Sequence, residues 1–425
     1  MDVPSILIEK ANELEEKVLI KYPKLKPLIK QCFLNTMETT VKKLDNGSVF
    51  VITGDIPAMW LRDSTAQVKP YIKYVNEDDA LKEMIKGVIA AQAYYINIDP
   101  YANAFNSTPK DNEHGNKDST DFESKWVWER KYEVDSLCAP LFLAYEYYTK
   151  TNDKSIFTRA FRDMLENIVN TFFKEQKHED SDYFFTRADC AQSDTLCNGG
   201  KGTSVSYTGM TWSGFRPSDD ACKFGYLIPA NMMAVVALKY ACIMAEEGYE
   251  HTMLAQKCLE IANEIDDGIQ AYGIVEHPTY GKIYAYETDG MGNYNLMDDA
   301  NSPSLLAIPY IGYRSANDEV YQNTRRFILS EDNPYYFVGT EAKGIGSPHT
   351  PKNYIWHISL IMQILTSTDQ TEIDKCINTI ATTHAGTNFM HEGFDVNNSN
   401  HFTREWFAWA NTLFAQMVER LVDEK

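Results

Sequence analysis

The side chains best suited to chemistry stand in short polar segments between apolar stretches. TWSGFRPSDDACKFG places Arg216, Asp219 and Asp220 beside Gly214 and Pro217, in what reads as a rigid loop. Two adjacent carboxylates repel, which raises one pKa and makes a credible general acid. The plain alternative is a pair of acids complementing a helix dipole. Toward the C-terminus, NFMHEGFDVNN offers Glu392 as a general base, with Phe389, Met390 and Phe394 arguing against full exposure. His391-Glu392 has no HExxH partner, which excludes zincin chemistry.

Three further segments carry hydrogen-bonding groups of the kind a sugar needs. In GDIPAMWLRDSTAQVKPY, Arg62 and Asp63 could bind hydroxyls, with Trp60 as a stacking wall. The alternative there is an Arg–Asp ion pair at a helix start capped by Asp63 or Ser64. Asp135, in RKYEVDSLCAP, precedes an apolar helix and serves either as a cap or as a ligand contact. Asp298, Asp299 and Asn301, in LMDDANSPSLL, could cap a helix, bind Ca²⁺ or hold a sugar, although EF-hand spacing is absent.

Composition narrows the class. The 425 residues carry 60 acidic and 40 basic side chains, a net charge of −20, with no basic stripe to neutralise phosphates. Nucleic acid and anionic membrane surfaces are therefore not expected partners. No run of about 18 apolar residues stands out, so no bilayer span is expected. The first residues lack the basic and apolar regions of a signal peptide. Eight cysteines include no CxxC pair, so a zinc ribbon is not expected; without an export signal, reduced thiols in a cytoplasm are, with Cys190 and Cys197 the one close pair. Aromatic residues make 12% of the chain and often adjoin Asp, Arg, Asn and His, which suits a sugar site as well as a Tyr- and Phe-rich core.

The elements that must position these groups are mostly helical. Apolar residues three and four apart mark nine segments, among them LIEKANELEEKVLIKYPKL, LCAPLFLAYEYYTKT and YLIPANMMAVVALKYACIMAEEG. Thr151, Asn152 and Asp153 separate two helices, and Gly248 is expected to end another. Strand signals are short: SVFVIT, DYFFTR and GKIYAYET. Long loops rich in Trp, Arg, Asp, Gly and Pro alternate with plain short ones. In a ring of helical hairpins, alternate connections emerge on one face. The expectation is one all-α domain over 1–425, an (α/α)6 toroid of about a dozen helices with small β-hairpin insertions.

GDIPAMWLRDSTAQV, TWSGFRPSDDA, LMDDANSPSLL, GIGSPHTP, MHEGF and FTREWFAWAN, in that order, closely resemble glycoside hydrolase family 125. The resemblance implies an (α/α)6 enzyme that removes non-reducing terminal α-1,6-linked mannose from mannosides and N-glycan fragments, with inversion and with no metal or other cofactor. By that resemblance Asp220 is the general acid and Glu392 the general base, and the substrate is a mannose-containing oligosaccharide. Trp60, Arg62, Asp63, Asp135, Arg216, Asp298, Asn301 and His349 form the expected substrate-binding set. One departure is visible: the family often has Ser after the Glu, where this chain has Gly393, expected to loosen the local backbone. Nothing in the sequence sets an oligomeric state.

Two rivals follow from the same residues. An isoprenoid enzyme would bind Mg-diphosphate through Asp pairs, but SDDACK and MDDANS lack the later Asp of DDxxD. A catalytically inactive mannoside-binding protein on the same fold would bind tightly without turnover.

Overall fold

The computed structural model describes residues 2–110 and 117–423. Among the described residues thirteen α-helices run in chain order: α1 Ser5–Lys21, α2 Lys26–Thr39, α3 Leu61–Val68, α4 Asp79–Ile98, α5 Val134–Thr151, α6 Arg159–Glu175 and the single-turn α7 Cys197–Gly200. Then come α8 Ile228–Tyr249, α9 Thr252–Tyr272, α10 Glu319–Ile328, α11 His357–Leu365, α12 Gln370–Ile380 and α13 Ala408–Asp423.

The packing makes two concentric layers. Helices α3, α5, α8, α11 and α13 form an inner ring, α5 touching α3 and α8, and α13 touching α3 and α11. The sixth inner position is irregular chain around 302–313, and Ser302, Tyr310 and Ile311 close the ring around a small axial hollow. Pro303 and Pro309 explain the irregularity, because neither can donate a helical N–H. Outside lie α2 against α13, α4 against α6, α9 against α8, and α12 against α11. This is the expected (α/α)6 toroid.

Connections from outer to inner elements are the long, residue-rich ones. They carry short three-stranded sheets such as 59–60/104–105/127–129 and 354–356/393–395/398–402. Connections from inner to outer elements are short; α8 and α9 are separated by two residues. The long loops therefore gather at the N-terminal ends of the inner helices. Part of one of them, 111–116, lies outside the described residues.

Several local expectations change. Helix α8 is apolar and long enough to cross a bilayer by composition, with a mean hydropathy of 1.6 over 18 residues, but 83% of that window is buried inside the protein. It is apolar on every side because it is an inner-ring helix covered by α5, α6 and α9. Gly248 does not end it; the helix runs to Tyr249 and Glu250 takes the left-handed cap at φ 52°. Asp63 and Ser64 cap nothing: α3 already starts at Leu61. Glu133 holds the cap position of α5 and Asp135 sits in its first turn. Asp219 and Asp220 are eight or more residues ahead of α8 and do not complement its dipole. All eight cysteines are free.

Candidate active site

A cavity of about 560 Å³ opens at the N-terminal ends of the inner helices. Of the predicted set, Trp60, Arg62, Asp63, Asn301, His349 and Glu392 line it. Arg62 and Trp409 form its floor, with the guanidinium 5.5 Å from the indole centroid. Below them lies a separate axial hollow of about 50 Å³.

The floor is a buried charge cluster. Arg62 Nη1 donates to Glu133 Oε2 at 2.7 Å and to Asp135 Oδ2 at 2.8 Å, and Nη2 lies 3.4 Å from Asp63 Oδ2. Asp63 is further fixed by the Thr53 hydroxyl at 2.7 Å. Three carboxyl groups share one guanidinium, so the cluster cannot be fully ionised at low cost. Burial pushes the Glu133 pKa well up; Arg62 opposes this, and Asp219 and Asp135 add to it. Burial raises the Asp135 pKa as well, again with Arg62 opposing it.

Asp220 is not itself a lining residue; it is buried next to the cavity-lining Ser218, Asp219 and His349. Its Oδ1 lies 3.1 Å from Nδ1 of the cavity-lining His349. Its Oδ2 is buried without a hydrogen-bond partner. Burial would lower the His349 pKa, but the hydrogen bond and charge of Asp220, with the charges of Glu392 and Asp219, lift it to about 9. Asp219 lines the cavity directly and accepts from Trp60 Nε1 at 3.3 Å and Asn103 Nδ2 at 3.2 Å. Its φ of 66° is left-handed, a conformation non-glycine residues adopt at a cost of about 1–3 kcal/mol.

Glu392 stands at a wall, immediately before the strand Gly393–Asp395. Arg404 Nη1 is 3.7 Å from its Oε1. Arg404 is itself held by Asp55, at 3.0 Å from Nε to Oδ1, and lies over the Phe407 ring at 4.4 Å. The neighbouring His391 is fully buried, stacks on Phe402 at 3.8 Å, and has its pKa lowered by burial, so it acts as a neutral packing group.

Gly393 is not a loose point. It pairs with Trp356 in an antiparallel register, and its N–H donates to the Thr403 hydroxyl at 3.0 Å. A Cβ there would stand 3.2 Å from the Trp356 indole, which lines the cavity. The missing side chain gives room to Trp356 rather than freedom to the backbone.

Asp135, Arg216 and Asp298 lie behind the cavity rather than on its surface. Asp135 orients Arg62. Arg216 is bound to Glu287 at 2.6 Å and anchors the 216–220 turn to the neighbouring sheet. Asp298 accepts from the N–H groups of Leu305 and Leu306 at 2.8 and 3.0 Å, serving the irregular sixth element of the inner ring. Burial pushes its pKa up to about 8 against those two donors. Among the described residues, no three His, Cys, Asp or Glu side chains group as a metal site.

Sequence reasoning passed over other lining residues. Arg404, Phe407 and Trp409 fall in FTREWFAWAN, a segment whose composition was a usable signal. Lys131, Arg187 and Asp194 form a rim network with no such signal: Arg187 Nη1 donates to Asp194 at 3.0 Å and Nη2 to Glu129 at 2.9 Å. Chain-distant ion pairs of this kind leave no spacing pattern.

Comparison with known proteins agrees with this geometry. Residues 22–419 match the family described as metal-independent alpha-mannosidase, GH125. The meiotically up-regulated gene 157 protein of Schizosaccharomyces pombe is 41% identical over 420 residues, spanning 94% of this chain and 82% of that protein. A metal-independent α-mannosidase from Streptococcus pneumoniae, solved in a non-productive complex with α-1,6-mannobiose, is 43% identical with a TM-score of 0.96, over 100% of this chain and 99% of that one. The glucoamylase of Saccharomycopsis fibuligera, at 10% identity and a TM-score of 0.59 over 98% and 96% of the two chains, shares the fold. The chain belongs to glycoside hydrolase family 125, and is an α-mannosidase.

Proposed function

We propose that this α-mannosidase is exo-acting, hydrolyses non-reducing terminal α-1,6-linked mannose, and inverts the anomeric centre. The observation that carries the reading is a cavity floored by Arg62 and Trp409, with Glu392 and His349 on its walls and Asp220 hydrogen-bonded to His349. A closed floor admits a chain end and excludes the middle of a polymer. The α-1,6-mannobiose bound by the pneumococcal relative supports the linkage.

In this mechanism Asp220 protonates the glycosidic oxygen while the bond to the anomeric carbon breaks. Glu392 takes a proton from a water that attacks that carbon from the opposite face. Arg404 places its positive charge opposite Glu392, 3.7 Å from Oε1. Asp63 and Arg62, fixed by Thr53, Glu133 and Asp135, bind hydroxyls of the terminal sugar, and Trp60 and Trp409 supply apolar walls for its C–H faces. The acid oxygen Oδ2 of Asp220 is unpartnered, as a proton donor to an incoming oxygen must be.

The test is hydrolysis of α-1,6-mannobiose beside its α-1,2 and α-1,3 isomers, with chelator present, followed by NMR. Release of β-mannose first, from the 1,6 isomer alone, is expected. Release of α-mannose first would overturn the base role of Glu392.

A further inference from the structure

Three consecutive residues tie together the segments that carry Asp220 and His349. The Asn301 amide donates to Pro217 O at 2.7 Å, and the Ser218 hydroxyl donates to Asp299 Oδ2 at 3.1 Å. The Ala300 N–H donates to Gly346 O at 3.0 Å. The Ser347 hydroxyl accepts the His349 N–H at 3.2 Å and also acts on the Asp299 carboxyl. One buried carboxyl, 1% exposed, thus lies between the hydroxyl two residues before Asp220 and the hydroxyl two residues before His349.

The neighbouring Asp298 shows what a purely architectural aspartate looks like. It spends both oxygens on backbone N–H groups of its own loop. Asp299 spends none there, and its Oδ1 has no hydrogen-bond partner. The turn it holds is also the strained one, with Asp219 left-handed and Arg216 N–H bonded to Asp220 O at 2.8 Å. Such a turn persists only where its surroundings over-determine it.

We propose that Asp299 is a positioning residue for proton delivery, its carboxyl fixing the Asp220–His349 pair relative to the leaving-group oxygen through Ser218 and Ser347. The proposal rests on Asp220 being the general acid. It extends that reading to a residue that touches no substrate.

The experiment compares α-1,6-mannobiose, whose sugar leaving group needs a proton, with α-mannosyl fluoride, whose fluoride needs far less. For Asp299→Asn, kcat on mannobiose is expected to fall about 10²-fold with KM little changed, the cost of a misplaced catalytic group. The loss on the fluoride should be at least tenfold smaller. Ser218→Ala, a gentler change, should show the same selectivity with about a tenfold loss on mannobiose, and carries the test if Asp299→Asn fails to fold. Equal losses on both substrates would make Asp299 merely structural and overturn the proposal. Asp220→Asn, run alongside, separates the two readings: if it is selective and the Asp299 and Ser218 variants are not, the proposal alone fails. If Asp220→Asn is itself unselective, the acid assignment falls and the proposal with it.

Discussion

The surroundings of Asp220 and of Glu392 differ in how tightly they are built. Asp220 sits on a short turn stapled at Pro217 and Ser218 to the 299–301 tripeptide, with a histidine hydrogen-bonded to one oxygen. Glu392 precedes a paired strand and has a single cation at 3.7 Å, beyond direct hydrogen-bond range. Each wall contains one strained residue, Asp219 at φ 66° and Arg404 at φ 47°. In the first case the strain lies next to the carboxyl itself; in the second it lies in the group that faces it. The difference fits the two tasks. A proton donor must meet one oxygen at one angle, whereas a base must leave space for a water between itself and the sugar.

The harshest way to break the comparison is to remove each carboxyl in turn. Glu392→Gln is expected to lower kcat about 10⁴-fold on mannobiose and on mannosyl fluoride alike, because both need an activated water. Asp220→Asn should lower it about 10³-fold on mannobiose and much less on the fluoride. Steady-state kinetics on the two substrates reads this directly, with circular dichroism to show the fold intact. The reverse pattern, a selective loss in Glu392→Gln and an equal loss in Asp220→Asn, would mean that the two walls have been assigned the wrong way round.

A milder cut removes the partners. Arg404→Lys keeps the charge but cannot span Asp55 and Glu392 with one planar fork, so kcat should fall roughly tenfold on both substrates. His349→Gln tests the other wall through pH. The hydrogen bond and charge of Asp220 raise His349 to about 9, so the imidazolium beside it persists until pH passes about 9. Below that pH a proton is present for donation; above it none is. The basic limb of kcat/KM should therefore lie near pH 9 and move to lower pH in His349→Gln. An unmoved limb would detach His349 from proton delivery.

Much of this was legible in the sequence, and the remainder was not, for physical reasons. The alternation of rich and plain loops revealed the ring, because backbone that bends at a cavity rim needs Gly, Pro and polar partners while a tight helix-to-helix turn does not. Helix α2 and helix α10 escaped the apolar pattern; α10, EVYQNTRRFI, has few apolar residues and buries only Tyr321, Thr324, Phe327 and Ile328. Among the acids, types and spacing located the right loops but not the direction each side chain takes. Asp135, Asp298 and Arg216 look like ligand contacts in one dimension. In three they are consumed by Arg62, by two backbone N–H groups and by Glu287, partners whose identity depends on the closed ring.

The smallest expected effect concerns Gly393, the residue after the proposed base. In Gly393→Ser the new Cβ meets Trp356 at 3.2 Å and Thr403 Oγ1 at 3.3 Å. Trp356 is 1% exposed and its indole N–H is bound to the Thr350 hydroxyl at 2.9 Å, so it yields little. Overpacking of this kind costs about 1–3 kcal/mol. Replacing a strand glycine returns about 0.5–1 kcal/mol of backbone entropy. The return offsets part of the cost, and a thermal melt should show destabilisation of about 0–2.5 kcal/mol. The strain that remains falls on Trp356, a cavity wall, rather than on the Glu392 carboxyl. KM for mannobiose should then change by about two- to threefold, an energy of well under 1 kcal/mol, with kcat nearly constant. A kcat loss as large as that of Arg404→Lys would mean that the base wall is as tightly built as the acid wall, and the contrast between them would go.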